Sequence, residues 1–398
     1  MKERLTPGLL IALGFLTAVG PFASDIYLAS FTDVAADLSA SAATVQLTLT
    51  AFLVGMCTGQ FLLGSVSDRF GRRRVLIAAL VVFAASGLAA VFSPGIEVFI
   101  ALRLVQGFSG AGSVVISRAI AVDLSKGAAA VRALSIMAMV GAVAPLIAPP
   151  IGGVVADLFG WRGVLAVIAA ISTVMLVVAV VVVPESLPVE QRHTGGIGSS
   201  FRVMGRLLAD RAYLGYVFVA GSSFAGVMAY ISASPFVGQR ILGMDEVSYS
   251  LIFALGAAGL VVGNYANARW AARVGPARML RLGLALMLGS SVFVLVLVAA
   301  GWLSVPTFLA FALVQSLGGG CTLPNASALG LARADAARGT GSALLGSIQF
   351  LCGAVASPIV GLWGEDTALP MAVVMLGTSA LAIVFAVAAG RARRLDPR

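Results

Sequence analysis

The chain has 398 residues, 60% of them hydrophobic and only 11% charged, with a formal net charge of +9. Soluble globular domains carry roughly 25% charged residues, so a mean hydropathy of +1.02 excludes the soluble classes and predicts a polytopic membrane protein. The basic excess does not indicate nucleic acid, because the cations are spread through alternate loops and form no single patch.

A helical crossing takes about 20 predominantly apolar residues. Such runs recur in chain order at 7–29, 45–66, 75–93, 97–118, 132–156, 162–183, 212–236, 248–271, 279–300, 304–328, 340–363 and 368–389. They are continuous and rich in Leu, Ala, Val and Gly, without the alternation of a barrel strand, so the expected fold class is all-α. The first run follows Lys2 and Arg4, but it is long and "SDIYLASF" offers no small-residue cleavage site, so it is expected to be a retained span. It carries Asp25 near its end, followed by Tyr27. The 18 residues from Pro7 to Asp25 make ~27 Å of helix, which puts the carboxylate toward the outer part of the membrane. Three readings stand: an outer-end residue in contact with water, a static ion pair, or a protonatable group.

Between spans 2 and 3 lies "GSVSDRFGRRRVL", 64–76. Gly64 would let helices approach closely, Gly71 would permit a tight turn, and Asp68 can face an arginine or a helix N-terminus. Span 4 contains "RLVQGFSGAG", 103–112. An arginine inside a span costs ~2.5–3.5 kcal/mol unless it is paired or wet, so Arg103 either snorkels outward or has a functional partner. "GFSG" within it matches the serine motif of an intramembrane protease, but the single histidine, His193, lies in a polar stretch and Ser109 is expected to be a packing residue. Span 5 contains "AVAPLIAPPIGG", 142–153, where Pro145, Pro149 and Pro150 would bend the helix and Gly152 and Gly153 would permit close packing.

The polar stretch beginning "PESLPVEQRHTGGIGSS" is expected to be a linker, 184–211, between a first bundle, 1–183, and a second, 212–398. "DRFGRRRVL" at 68–76 has a degraded counterpart 204 positions later, "ARVGPARML" at 272–280. The expected architecture is therefore twelve transmembrane helices in two parallel six-helix bundles. All Lys and Arg except Arg103, Arg162 and Arg240 fall in the tails or after even-numbered spans, which predicts cytoplasmic termini. Candidate cavity-lining polar residues are Tyr27, Tyr230, Asn264 and Gln349, with Gln46, Gln60 and Gln315 behind them. Cys57, Cys321 and Cys352 lack CxxC spacing and predict neither disulfide nor metal site. Neither lysine, Lys2 or Lys126, follows a Gly-rich phosphate loop, so no nucleotide-driven motor is expected.

"GSVSDRFGRRRVL" resembles the signature between spans 2 and 3 of the major facilitator superfamily through Gly64, Asp68, Arg69, Gly71, Arg72 and Arg73. The resemblance implies a conformational latch there, with Asp123 as a possible partner of Arg72, and the major facilitator fold for the whole chain. "RLVQGFSGAG" is similar to the family's span 4 motif, which implies proton coupling through Arg103. "AVAPLIAPPIGG" is similar to the span 5 motif of its proton-driven exporters through Pro149, Gly152 and Gly153, with Ala148 where glycine is usual. "SDIYLASF", "FAGVMAYISASPFV" and "GTGSALLGSIQF" resemble the Bcr/CflA branch of twelve-span drug:proton antiporters; Ala29 stands where that branch usually has proline. The expectation is an exporter exchanging protons for an amphipathic drug-like compound, with Asp25 and Arg103 in proton coupling. It would act as a monomer in a bacterial-type cell membrane, driven by the proton gradient with no cofactor. The alternatives are a proton-coupled uptake symporter for a small metabolite and, from another class, an intramembrane enzyme.

Overall fold

Inside a bilayer, backbone polar groups must be satisfied within their own segment, and the apolar runs do so as helices. The computed structural model describes residues 5–125, 128–188, 192, 198–334, 338–362 and 366–395, and no strand occurs among them; Lys126 and His193 lie outside the described residues. The helices are α1 (Pro7–Thr17), α2 (Val19–Asp25), α3 (Phe31–Asp37), α4 (Ala42–Phe70), α5 (Arg72–Val91), α6 (Ile96–Asp123) and α7 (Ala128–Val182). They continue as α8 (Gly198–Ala209), α9 (Arg211–Pro235), α10 (Glu246–Val274), α11 (Pro276–Ala299), α12 (Val305–Leu331), α13 (Arg338–Ile359) and α14 (Leu369–Leu395). Among the described residues 11 helical segments are long and apolar enough to cross a membrane. The longest, α7, is broken at Gly160, whose φ of 65° and ψ of −177° are non-helical, so it supplies two crossings, 128–159 and 161–182. That makes twelve.

The first crossing is not the single helix expected over 7–29. Pro21 has no N–H to offer the Thr17 carbonyl, and α1 stops at Thr17, with Ala18 at φ −79°, ψ 4°. After Asp25 the chain tightens into a 3₁₀ turn, Leu28–Ser30, before α3. The crossing is thus several short pieces, interrupted at Ala18 and again just after Asp25, where the helix tightens into the 3₁₀ turn.

The chain clusters into two compact units, 1–38 with 51–196 and 39–50 with 197–398. In the first unit α7 packs on α1, α2 and α5, and α6 packs on α5 and α1. In the second, α12 packs on α10, α11 and α9, and α9 also packs on α13 and α14. The repeat is structural as well as sequential. Gly71 and Gly275 open α5 and α11 at φ/ψ of 98°/145° and 92°/142°. Gly55 and Gly59 of α4 lie against the backbone of Leu104 and Phe108 on α6, and Gly259 and Gly263 of α10 lie in the same way against Leu313 and Leu317 of α12. A methyl at any of the four would collide with main chain, which is how small residues let helices pack closely. A methyl at Gly64 would only touch Val115 at 3.4 Å. The close approach expected of Gly64 is therefore made by Gly55 and Gly59.

Candidate functional site

Asp25, the last residue of α2, is 6% exposed. Its Oδ1 accepts a hydrogen bond from Ser24 Oγ at 2.6 Å, and it makes no ion pair among the described residues. Among the described residues the carboxylate is therefore neither exposed at an outer end nor half of an ion pair. It sits where α2 gives way to the 3₁₀ turn, and α7 closes on that interruption. A methyl at Gly152 would collide with the Ile26 carbonyl, so only glycine lets α7 come so near the residue after Asp25. Pro149 and Gly153 are buried on the same stretch and Pro145 is half-buried. The prolines do not break α7, whose non-helical residue is Gly160.

Arg103, on α6, has no exposed surface and is the largest fully buried side chain. Of the two sequence readings, the burial removes outward snorkelling. Its guanidinium lies 4.6 Å from the Phe52 ring centroid and 5.3 Å from that of Tyr27, and Nη1 donates to Gln106 Oε1 at 2.7 Å. Cation–π contacts contribute about 0.5–2 kcal/mol each and a hydrogen bond to a charged group about 1.5–3 kcal/mol. Together these offset the ~2.5–3.5 kcal/mol of placing the charge in a span. Among the described residues Nε and Nη2 have no hydrogen-bond partner. Two donors are thus held in an aromatic pocket, able to meet a carboxylate or another anionic oxygen. Tyr27, completely buried, joins Arg103 to a chain of rings: Phe99 at 5.5 Å, then Trp161 at 5.9 Å from Phe99. Trp161 Nε1 donates to Asp37 Oδ2 at 3.0 Å, and Arg162 Nη1 binds the same oxygen at 2.6 Å.

Of the latch residues, Asp68, Arg72 and Asp123 form one network in the first unit. Arg72 Nη1 pairs with Asp68 Oδ1 at 2.6 Å and donates to Ser67 Oγ at 2.7 Å, while its Nε reaches Asp123 Oδ2 at 3.1 Å. Arg73 Nη2 donates to the Val180 carbonyl at 2.7 Å. Arg69 stacks over Phe70 at 5.5 Å. Sequence reasoning missed two members. Glu185 Oε1 accepts the backbone N–H of Arg72 at 2.9 Å, and Ser186 Oγ donates to Asp123 Oδ2 at 2.9 Å. Both lie in the stretch expected as linker, more than a hundred positions from Arg72, with no local pattern to reveal them. The rest of that stretch carries α8. Gly71 admits Glu185 and Arg192, since a methyl there would lie 2.5 Å and 2.9 Å from their side chains.

The remaining cavity candidates lie in the second unit, except Gln60. Tyr230 stacks on Phe253 at 5.7 Å and meets Phe311 at 5.6 Å, its buried hydroxyl without a hydrogen-bond partner among the described residues. Asn264 and Gln349 are half-buried, and no hydrogen bond or ring contact links them to Tyr230 among the described residues. Gln46 donates to the Ser232 carbonyl at 3.1 Å and Gln315 accepts from Ser290 at 2.6 Å; Gln60 is buried in the first unit. Asn325, unread in the sequence, donates to Asn267 Oδ1 at 2.5 Å and to the Cys321 carbonyl at 2.7 Å. Ser109 donates to its own helix at Val105 O, 2.8 Å. Among the described residues no disulfide joins Cys57, Cys321 and Cys352, and no group of three or more His, Cys, Asp or Glu could hold a metal.

Residues 13–357 match the family described as Major Facilitator Superfamily. A Bacillus subtilis (strain 168) protein described as an uncharacterized MFS-type transporter, YdgK, is 35% identical over 96% of this chain and 94% of its own. The bicyclomycin resistance protein homolog of Haemophilus influenzae (strain Rd) is 31% identical over 93% of each chain. Among solved structures, a bacterial homolog to the human lysosomal transporter Spinster, inward-facing and unoccupied, superposes with a TM-score of 0.74 at 15% identity, covering 98% of each chain.

Proposed function

The chain belongs to the major facilitator superfamily of membrane transporters, and from that premise we propose that it exports amphipathic drug-like compounds in exchange for inward-moving protons. The relative named for bicyclomycin resistance, similar along nearly the whole chain, supports the drug-efflux reading. The observation that carries the exchange is Asp25: a carboxyl buried at a break in the first crossing, without an ion pair among the described residues. A carboxylate in a membrane is tolerated where its charge changes during a cycle. Protonation of Asp25 and binding of a cationic substrate group would be alternative ways to neutralise it, so that each would displace the other. Arg103, with two free donors on α6, would stabilise the charged state of an anionic oxygen nearby. The Arg72 network would form and break as the transporter passes between its access states. The cycle would draw on the proton gradient without a cofactor, in a monomer in the cytoplasmic membrane with both termini inside.

Purified protein is challenged with a panel of cationic amphipathic compounds while proton release is followed with a pH dye. Asp25→Asn is expected to abolish substrate-induced release and Asp25→Glu to retain part of it. Undiminished release with normal proton-driven efflux in the Asn variant rejects the assignment. In cells, expression should lower accumulation of the compound, and a protonophore should restore it; accumulation raised by expression would indicate uptake. Orientation is tested in a cysteine-free background. A cysteine at Pro94 should react with an impermeant thiol reagent on intact cells, and one at Ala277 should not.

A further inference from the structure

The turn between α10 and α11 lies in a field of uncompensated positive charge. Arg269 and Arg273 stand one helical turn apart at the end of α10, Arg278 and Arg281 three residues apart at the start of α11, and all four are exposed. None makes an ion pair among the described residues; Arg281 Nε reaches only its own helix, at Ala277 O, 3.4 Å. The surrounding sequence cannot supply the counter-charge, since no Asp or Glu occurs between Glu246 and Asp335. Two aromatic side chains flank the arginines. Tyr265, four residues before Arg269 on the same face, is 71% exposed, and Trp270 is 52% exposed. Rings with an apolar body and a polar tip settle at the headgroup level of a bilayer.

We propose that this patch binds the headgroup of an anionic phospholipid. Arginine forks match phosphate oxygens two at a time, and a bilayer edge brings the phosphate to the depth at which Tyr265 and Trp270 stand. The lipid supplies the negative charge that the sequence around this turn lacks, and so fixes the α10–α11 turn at the membrane surface. The proposal rests on the reading that this turn faces the anionic cytoplasmic leaflet.

The full-length protein in a zwitterionic detergent is titrated with dioctanoyl phosphatidylglycerol, dioctanoyl phosphatidylcholine and inorganic phosphate in separate arms. Native mass spectrometry reads what each chain retains. Phosphatidylglycerol should be retained and phosphatidylcholine largely lost. Each Arg→Gln change should weaken retention roughly fivefold, and R269Q/R273Q/R278Q/R281Q together by roughly two orders of magnitude or more. Should the quadruple variant not fold, R273Q and R278Q singly still read the fivefold loss. Equal retention of the two lipids, or unchanged retention in the variants, overturns the proposal. Phosphate bound as tightly as phosphatidylglycerol would make this a free-anion site and overturns the lipid assignment. Binding in detergent does not depend on orientation. Labelling of Ala277→Cys from outside the cell would therefore sink the topology without touching the binding result.

Discussion

The turn that opens α5 and the turn that opens α11 share a backbone and differ in charge. Gly71 and Gly275 hold nearly the same φ and ψ 204 positions apart, and Arg69 and Arg74 return as Arg273 and Arg278. Asp68, Arg72 and Arg73 return as Ala272, Pro276 and Ala277. The replaced residues are those that bind one another, Asp123 and the Val180 carbonyl in the first unit. The retained arginines make no ion pair among the described residues. The glycine geometry is common to both turns, whereas the paired network occurs, among the described residues, only at the first.

The largest effect that could break the comparison lies below the turns, at the helix crossings. Gly59→Leu and Gly263→Leu each force a side chain into the facing backbone, at Phe108 and Leu317, and each should cost about 3 kcal/mol. Yield and thermal unfolding in detergent should fall alike; damage from one alone would show that the two crossings are not equivalent. Next come the turns themselves. Gly71→Ala and Gly275→Ala both force alanine to positive φ, at about 1–2 kcal/mol. Only Gly71→Ala must also displace Glu185 and Arg192, so its unfolding temperature should drop further, and equal drops would remove that distinction. Asp68→Asn should slow transport about tenfold, the scale of a conformational coupling, with substrate affinity of purified protein unchanged. Ala272→Asp in the second turn should leave transport within about twofold. Parallel loss of binding in Asp68→Asn, with folding intact, would rule out a latch.

The smallest effect concerns helix caps. Ser41 and Asp245, again 204 positions apart, cap α4 and α10, accepting Thr44 N–H at 3.2 Å and Ser248 N–H at 2.7 Å. The Ser248 backbone N–H, and then its hydroxyl, hold the exposed Asp245 carboxyl below its ordinary value of 3.8. A lowered carboxyl contributes stability above its unfolded value that is lost as pH falls through the folded one. Below pH 3.8, exchange of the Ser248 amide should accelerate relative to that of Thr44. Matching pH profiles would show that the cap does not depend on ionisation.

The spans were legible because hydrocarbon imposes length and apolarity on them, and the half-chain repeat showed in "ARVGPARML". Asp25 and Arg103 stood out because charge in a span is expensive. What was hidden falls into two kinds. Some of it was local but unread: Pro21 already contains the end of α1 at Thr17, and the glycine pairs 55/59 and 259/263 already contain the crossings. The rest was non-local. Nothing near Arg72 points to Glu185, nor near Arg103 to Phe52, because only the packing of distant helices brings them together.

The ring chain beside Arg103 makes the protein its own optical probe. Trp161 is 4% exposed, whereas Trp270 and Trp302 are 52% and 69% exposed. With every other tryptophan replaced by phenylalanine, emission should come from one sheltered indole at short wavelength, out of reach of dissolved iodide. That indole touches Phe99, which touches Tyr27, over which the Arg103 guanidinium lies. A shift of the buried cation during turnover would therefore alter the ultraviolet spectrum of the unlabelled protein, and the cycle could be timed by stopped-flow fluorescence.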